Sequence, residues 1–328
     1  MQRLQRIQST VSALISCALL LFPRSGFAQG SLTPPGPPGP TMKSLSQIEP
    51  RTPIASLPFT IASPGSYYLT GNLTGLAGTN GITVTSGDVT LDLNGFALLG
   101  VSNSATGIQV AGAANPCTNV AIRNGTVRGW GGSGVAAYYA VNAIVEHLTA
   151  SGNQGDGINT GTGGLVRDCV VSSCGGGIDV SASTVRDCTV SYCTNYGISV
   201  AGGSVSGCTV VNSIWSGISV GGSSPPGALI MDNTCYGNNT ANSSDNAGIY
   251  VFSSGNRIEG NHVSWNYNAG IYINSAYQNN VVIRNTVIST INGSNFAPLS
   301  LPGSQVMGPI ISTSGFITNA NPWANFSF

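Results

Sequence analysis

The sequence predicts an all-β solenoid, a single-stranded parallel β-helix of about nine or more coils. Three observations predict it. First, a glycine followed by an apolar-x-apolar phrase recurs from "GITV" at Gly81 to "GIYI" at Gly270, at spacings of 20 to 31 residues. Second, another phrase alternates with it, as in "VAIRNGTV", "LVRDCVVSS", "TVRDCTVSY" and "NVVIRNTVIS". Third, 7% of residues are charged, 45 are glycine, and apolar residues alternate or cluster in β-branched groups instead of following a helical period. A unit this short cannot bury a face alone, but stacked units share one core.

The elements follow in chain order. Residues 1–28 read as an export signal. Arg3 and Arg6 are followed by the apolar run Val11–Phe22, and Gly26 and Ala28 stand where a signal peptidase cuts. A lipoprotein reading centred on Cys17 competes, but the apolar run continues beyond that cysteine. Residues 29–58 are rich in proline and predict an extended linker. The β-helix is expected over 59–290, and 291–328, which leaves the repeat, is expected to cap the open end. The predicted locations are the exterior, the cell surface or the periplasm, and no segment of the mature chain is apolar for long enough to span a membrane.

Aligning the repeats places Asn124, His147, Cys169, Cys188, Cys208, Asn233, Asn261 and Asn285 in one slot. A second slot holds Gly129, Gly152, Cys174, Cys193, Ser213, Asn238, Asn266 and Thr290. Exchange of cysteine for asparagine, serine and threonine suits neither a metal site nor a nucleophile. It suits inward ladders at the bends, with like residues about 4.8 Å apart. No metal site and no cofactor are expected. The seven cysteines beyond Cys17 are expected as buried thiols or, between neighbouring rungs, as bridges such as Cys169–Cys188.

The "GI-x-V" and "V-R-D/N-C/N-T-V" phrases over about residues 59–290 resemble the right-handed parallel β-helix repeat of the pectin-lyase-like superfamily. "FTIASPGSYYLTGNL" resembles the first strand of secreted β-helix proteins, and "NPWANFSF" resembles the close of exported bacterial members without assigned activity. The resemblance implies a site on the outward face of one sheet. Its lyases use acids to hold calcium with Arg or Lys as base, and its hydrolases use neighbouring aspartates.

Here the outward row is Thr83, Gln109, Ala136, Asn159, Asp179, Ser199, Ser219, Tyr250 and Tyr272, without a basic residue or adjacent aspartates. Asp156 and Asp179 are a candidate catalytic pair, with carboxyls expected about 7–11 Å apart. The alternative is a turn former at Asp156 and a solvated strand residue at Asp179. Asp232 or Asp245 could join from the insertion at 221–248. The repeated Arg167-Asp168 and Arg186-Asp187 read as surface ion pairs.

Trp130, Tyr196, Trp215, Trp265 and Tyr267 precede strand glycines and are expected along one corner, with Tyr250 and Tyr272 on the adjoining face. Such rings stack on sugars. Without residues 1–28 the chain carries eight basic and eleven acidic residues, which excludes a basic nucleic-acid patch and disfavours a strongly anionic glycan. Two functions stay open: an exported non-catalytic element that binds polysaccharide or cell-surface glycan, or a polysaccharide lyase or glycoside hydrolase. Oligomeric state is not legible.

Overall fold

Each coil turns three corners, and each corner is made by the same device. The computed structural model describes residues 48–112, 115–222, 227–291, 298–312 and 321–328. The predicted export signal, Cys17 and the linker as far as residue 47 lie outside them. Pro50–Phe328 is one unit, and Met1–Glu49 is another, of which Ile48 and Glu49 are described. Among the described residues every strand pairing is parallel.

Three faces result. The first begins at Phe59–Ile61 and runs through Ile82–Val84, Ile158–Thr160, Ile249–Phe252 and Ile271–Ile273 to Leu299–Ser300. The second includes Val89–Asp92, Leu165–Arg167, Arg257–Glu259 and Val306–Met307. The third includes Ala97–Leu99, Val170–Ser172, Thr209–Val211 and Asn325–Ser327. Ile82/Val84, Ile108/Val110, Ile198/Val200 and Ile249/Val251 point inward, and all are fully buried. Strand alternation puts "x" of "GI-x-V" outside and its neighbours in the core.

The solenoid exceeds the predicted 59–290 at both ends. Thr52–Ile54 already pairs with Gly65–Leu69. After residue 290, Leu299–Ser300, Val306–Met307 and Asn325–Ser327 each add a rung to one face. The segment expected as a cap therefore supplies a further coil. Its Asn325, buried, extends the ladder of the coils before it.

At the corner between the second and third faces, Cys169, Cys188, Cys208, Asn233, Asn261, Asn285 and Asn325 are all buried. Each asparagine serves two coils. Asn261 Oδ1 accepts from the Asn233 backbone N–H at 3.0 Å, and Asn285 Oδ1 accepts from the Asn261 N–H at 3.0 Å. Asn261 Nδ2 donates to Ile230 O at 3.0 Å. The amide thus satisfies the backbone groups that a bend takes out of the sheet. Asn238 and Asn266 repeat the arrangement at the second corner, and Asn256, Asn280 and Gln305 repeat it at the third.

Asn124 and His147 do not belong to the buried column. Strand register stacks Leu148 on Gly125, which puts His147 over Asn124 one residue earlier. Both are exposed and left-handed, with φ of 60° and 51°. Asp168, Asp187 and Asp232 share that conformation, with φ near 54° to 55°. Asn and Asp tolerate it better than other side chains, because their short polar groups hydrogen-bond locally. Leu148 fills the inward place that the alignment gave to His147. The second slot shifts likewise: Trp130 and Asn153 point inward, and Gly129 and Gly152 take the left-handed place.

All seven described cysteines are free and buried. Burial pushes the Cys174 and Cys235 thiols above their ordinary range, so they are packing groups and poor nucleophiles. Arg186 pairs with Asp187 at 2.8 Å, while Arg167 pairs chiefly with Glu146 across the rung and with Asp168 at 3.6 Å.

Candidate functional site

Asp156 and Asp179 meet around one amide. Asp156 stands just before its strand glycine, and Asp179 stands on the outward column of the next rung, where its strand pairs Asn159 with it. Asn159 Nδ2 donates to Asp156 Oδ2 at 3.4 Å and to Asp179 Oδ2 at 3.2 Å. Two oxygens sharing one nitrogen in this way lie less than about 7 Å apart, at or below the short end of the expected range. Asn159 is 9% exposed, and its Oδ1 is buried without a hydrogen-bond partner.

Tyr196 completes the cluster from two rungs beyond Asp156. Between them lies Gly176, where a Cβ would sit 2.1 Å from Asp156 Oδ1 and 3.1 Å from Tyr196 Cε2. The missing side chain is the gap through which the Tyr196 hydroxyl reaches the Asp156 carboxylate. Burial raises the Asp156 pKa, and the Asp179 charge raises it further, while the Asn159 and Tyr196 hydrogen bonds oppose the shift. Burial also raises the pKa of Asp179, opposed by Ser199. Burial and the two carboxylates raise that of Tyr196, which keeps its hydroxyl a donor.

These shifts carry a sign for stability. A carboxyl whose native pKa lies above its unfolded value holds its proton more tightly when folded. Its stabilising contribution is complete below about pH 4 and is lost as pH rises through the native value. Asp156→Asn and Asp179→Asn are therefore each expected to raise the melting temperature at pH 7.5, with the gain shrinking toward pH 3.5. Melting curves at the two pH values check this; an equal difference at both would contradict the shifts.

The predicted aromatic corner divides. Trp130 is 1% exposed. Its Nε1 donates to Leu98 O at 3.2 Å, and its ring fills the space over Gly75 and Gly81. It is a core residue and cannot face a ligand. Trp265 is exposed but occupies the left-handed place before Asn266, with φ of 54°. Trp215 is exposed on the turn after Ser213, and Tyr267 is half-buried at the end of the strand His262–Tyr267. Exposed Tyr192 and Tyr236 lie near Trp265 in the repeat, along the third face. These rings do not form one row.

Tyr250 and Tyr272 do stack, on the first face. Their ring centroids are 5.4 Å apart at an interplanar angle of 18°, and Phe252 extends the stack at 5.3 Å from Tyr250. Register places Ser219, then Ser199, then Asp179 on the preceding rungs of the same outward column. The column carries the acid cluster and, three rungs beyond Asp179, a ring platform. Asp232 instead takes a left-handed corner position, whereas Asp245 lies close enough to raise the Tyr272 pKa. Asn159 and Gly176 were missed as site residues. Their signal was spacing: Gly176 leaves empty the place that Tyr196 fills one rung later.

Comparison with known proteins agrees with the fold. The family model described as right handed beta helix region matches residues 69–212 and 178–297. No curated protein matches. Among solved structures, the chain is similar to the A-module of mannuronan C-5 epimerase AlgE4 from Azotobacter vinelandii, at 16% identity and a TM-score of 0.53, covering 84% of this chain and 90% of that one. The AlgE6 A-module from the same organism gives 14% identity and a TM-score of 0.52, covering 84% and 88%. The Dettilon tailspike protein gives 14% identity and a TM-score of 0.49, and this chain spans 60% of its length. At these identities the likeness is one of fold. With parallel coils stacked throughout and the family model matching most of the repeat, the chain belongs to the right-handed β-helix family.

Proposed function

We propose that the first face binds a neutral glycan chain laid along the solenoid axis, and that the protein is exported through residues 1–28 to display this face outside the cell or in the periplasm. One observation carries the reading: a single outward column joins the Asp156–Asn159–Asp179–Tyr196 cluster to the Tyr250–Tyr272–Phe252 platform. Asp179 and Tyr250 are three rungs apart, about 14 Å at the spacing of neighbouring strands. Carboxylates and amides hydrogen-bond sugar hydroxyls, and ring faces stack on sugar rings. The outward column from Gln109 to Tyr272 contains no Lys or Arg, which favours a neutral chain over an anionic one. The similar A-modules belong to an enzyme named for mannuronan, so a glycan-directed role on this fold has a named precedent.

A second reading, glycoside hydrolysis, is favoured by the acid pair itself. Two carboxyls less than about 7 Å apart, both with raised pKa, suit an acid with a nucleophile or base. Base-catalysed lyase chemistry lacks its Arg or Lys on this column.

Calorimetric titration with soluble β-glucan, mannan and xylan, followed by analysis of new reducing ends, tests both. Tyr250→Ala with Tyr272→Ala should weaken binding at least about tenfold, the equivalent of 1.4 kcal/mol. Asp179→Asn should weaken binding and abolish any new reducing ends. Undiminished binding by both variants, or no binding of any of the polymers, would contradict the assignment of this face.

A further inference from the structure

A recess opens to one side of the first face, at the ends of its strands. It is a cleft of about 290 Å³ lined by Pro116, Tyr138, Tyr139, Ala140, Val141, Thr162 and Ser181. Tyr138 and Tyr139 follow directly on the first-face strand Val135–Ala137. They are 57% and 50% exposed. Their rings meet edge to face, with centroids 5.1 Å apart and an interplanar angle of 87°. The two rings thus form a right-angled aromatic corner. Thr162 and Ser181 add hydroxyl-bearing residues to the lining, and no carboxylate, ammonium or guanidinium group lines the recess.

The position of the cleft is as informative as its lining. Ser181 stands two residues after Asp179 on one strand, and Thr162 follows Asn159 by three. Two residues of strand are about 7 Å. Strands run across the solenoid axis, so this displacement is sideways to a chain laid along the axis. A chain laid along the column passes Ala136 two rungs, about 10 Å, before Asp179, and a sugar there would hold its own substituents over Tyr138 and Tyr139.

We propose that this cleft receives a neutral sugar branch, so that the ligand class is a branched neutral polysaccharide and the Tyr138/Tyr139 corner is its specificity element. A pyranose carries both an apolar ring face and hydroxyls at its edge. It can stack on one tyrosine, lie against the edge of the other and reach Thr162 and Ser181 with its hydroxyls. An acidic branch would meet no cation here and would approach the Asp156–Asp179 pair. An unbranched chain would leave the recess filled with water.

The inference rests on the first face being the glycan site, and the test separates the two. Wild type, the Tyr138→Ala/Tyr139→Ala double variant and Tyr250→Ala/Tyr272→Ala are titrated against matched pairs: linear β-mannan and galactomannan, linear β-1,3-glucan and its β-1,6-branched form, linear xylan and arabinoxylan. Wild type should prefer the branched member of at least one pair by about tenfold or more. The Tyr138/Tyr139 variant should lose that preference and bind the linear member as wild type does. Equal affinity for both members of every pair, or a preference that survives in this variant, would overturn the branch site while leaving the face intact. Equal weakening on linear and branched members would also overturn it, because the tyrosines would then serve the main chain. Absence of binding to every polymer would overturn the face and the branch site together. Both tyrosines are half-exposed, so their removal leaves the core packed, and an unchanged melting temperature verifies this.

Discussion

Asn261→Ala is expected to lower the free energy of unfolding by about 4 kcal/mol, because it strips partners from several buried groups at once. The Asn233 backbone N–H and side-chain Nδ2 both donate to Asn261 Oδ1 at 3.0 Å. Asn261 Nδ2 in turn donates to Ile230 O and, at 2.9 Å, to Asn285 Oδ1. Alanine returns none of these bonds, and neither rung at the corner can regain them from solvent, since Asn233, Asn261 and Asn285 are all buried. Each orphaned group costs about 1–3 kcal/mol, and partial relaxation keeps the total below the full sum. His147→Ala is the matched control. It changes a residue that the repeat alignment places in the same slot but that the strand register puts outside, so its cost should stay under about 1 kcal/mol. Urea denaturation of both variants checks the contrast. Equal destabilisation would mean that the corner is not held by the amide column.

Trp130→Ala should cost a similar amount, about 3–5 kcal/mol. The ring is the largest fully buried side chain in the molecule's described part. Glycines of earlier coils are shaped around it: a Cβ at Gly75 would lie 2.4 Å from Trp130 Cη2, and one at Gly81 would lie 2.7 Å away. Alanine leaves a cavity that the neighbouring coils cannot close without sliding their strands, and it removes the indole hydrogen bond to Leu98 O. Glycan binding should be unaffected at temperatures where the variant is folded, because the ring has no outward surface. The same titration that reports on Tyr250 and Tyr272 checks this. Loss of affinity in folded Trp130→Ala would contradict its place in the core.

Trp130 also shows where sequence and structure part. The coil repeat, the shared core and the outward row of "GI-x-V" are all legible, because strand alternation with period two leaves little freedom once the repeats are aligned; the division into three faces is not. The corners are harder. Asparagine suits both the left-handed position and the inward ladder beside it, so aligning Asn124 with Asn233 by identity slips the register by one. Aligning on the following threonines, Thr126, Thr149 and Thr189, gives the register found. Trp130 was misplaced by the same slip, since it shares a column with Asn153 and Cys174 and not with Tyr196.

The candidate site was half legible. Asp156 and Asp179 stand out in the sequence as acids on successive rungs. Their convergence on Asn159 depends on side-chain direction, which repeat spacing does not encode. The link to Tyr196 depends on an absence, the side chain that Gly176 lacks. Tyr138 and Tyr139 lie in a turn outside both repeated phrases, so periodicity gave them no address.

Two exposed aromatic surfaces compete to be the contact face: Tyr250, Tyr272 and Phe252 with the acid cluster on the first, and Tyr192, Tyr236 and Trp265 along the third. A crystal structure with a bound neutral oligosaccharide decides between them. Sugar rings ranged over Asp179, Ser199, Ser219 and Tyr250 are the expected result. Sugar seated on Tyr192, Tyr236 and Trp265, with the Asp156–Asp179 cluster bare, would contradict it.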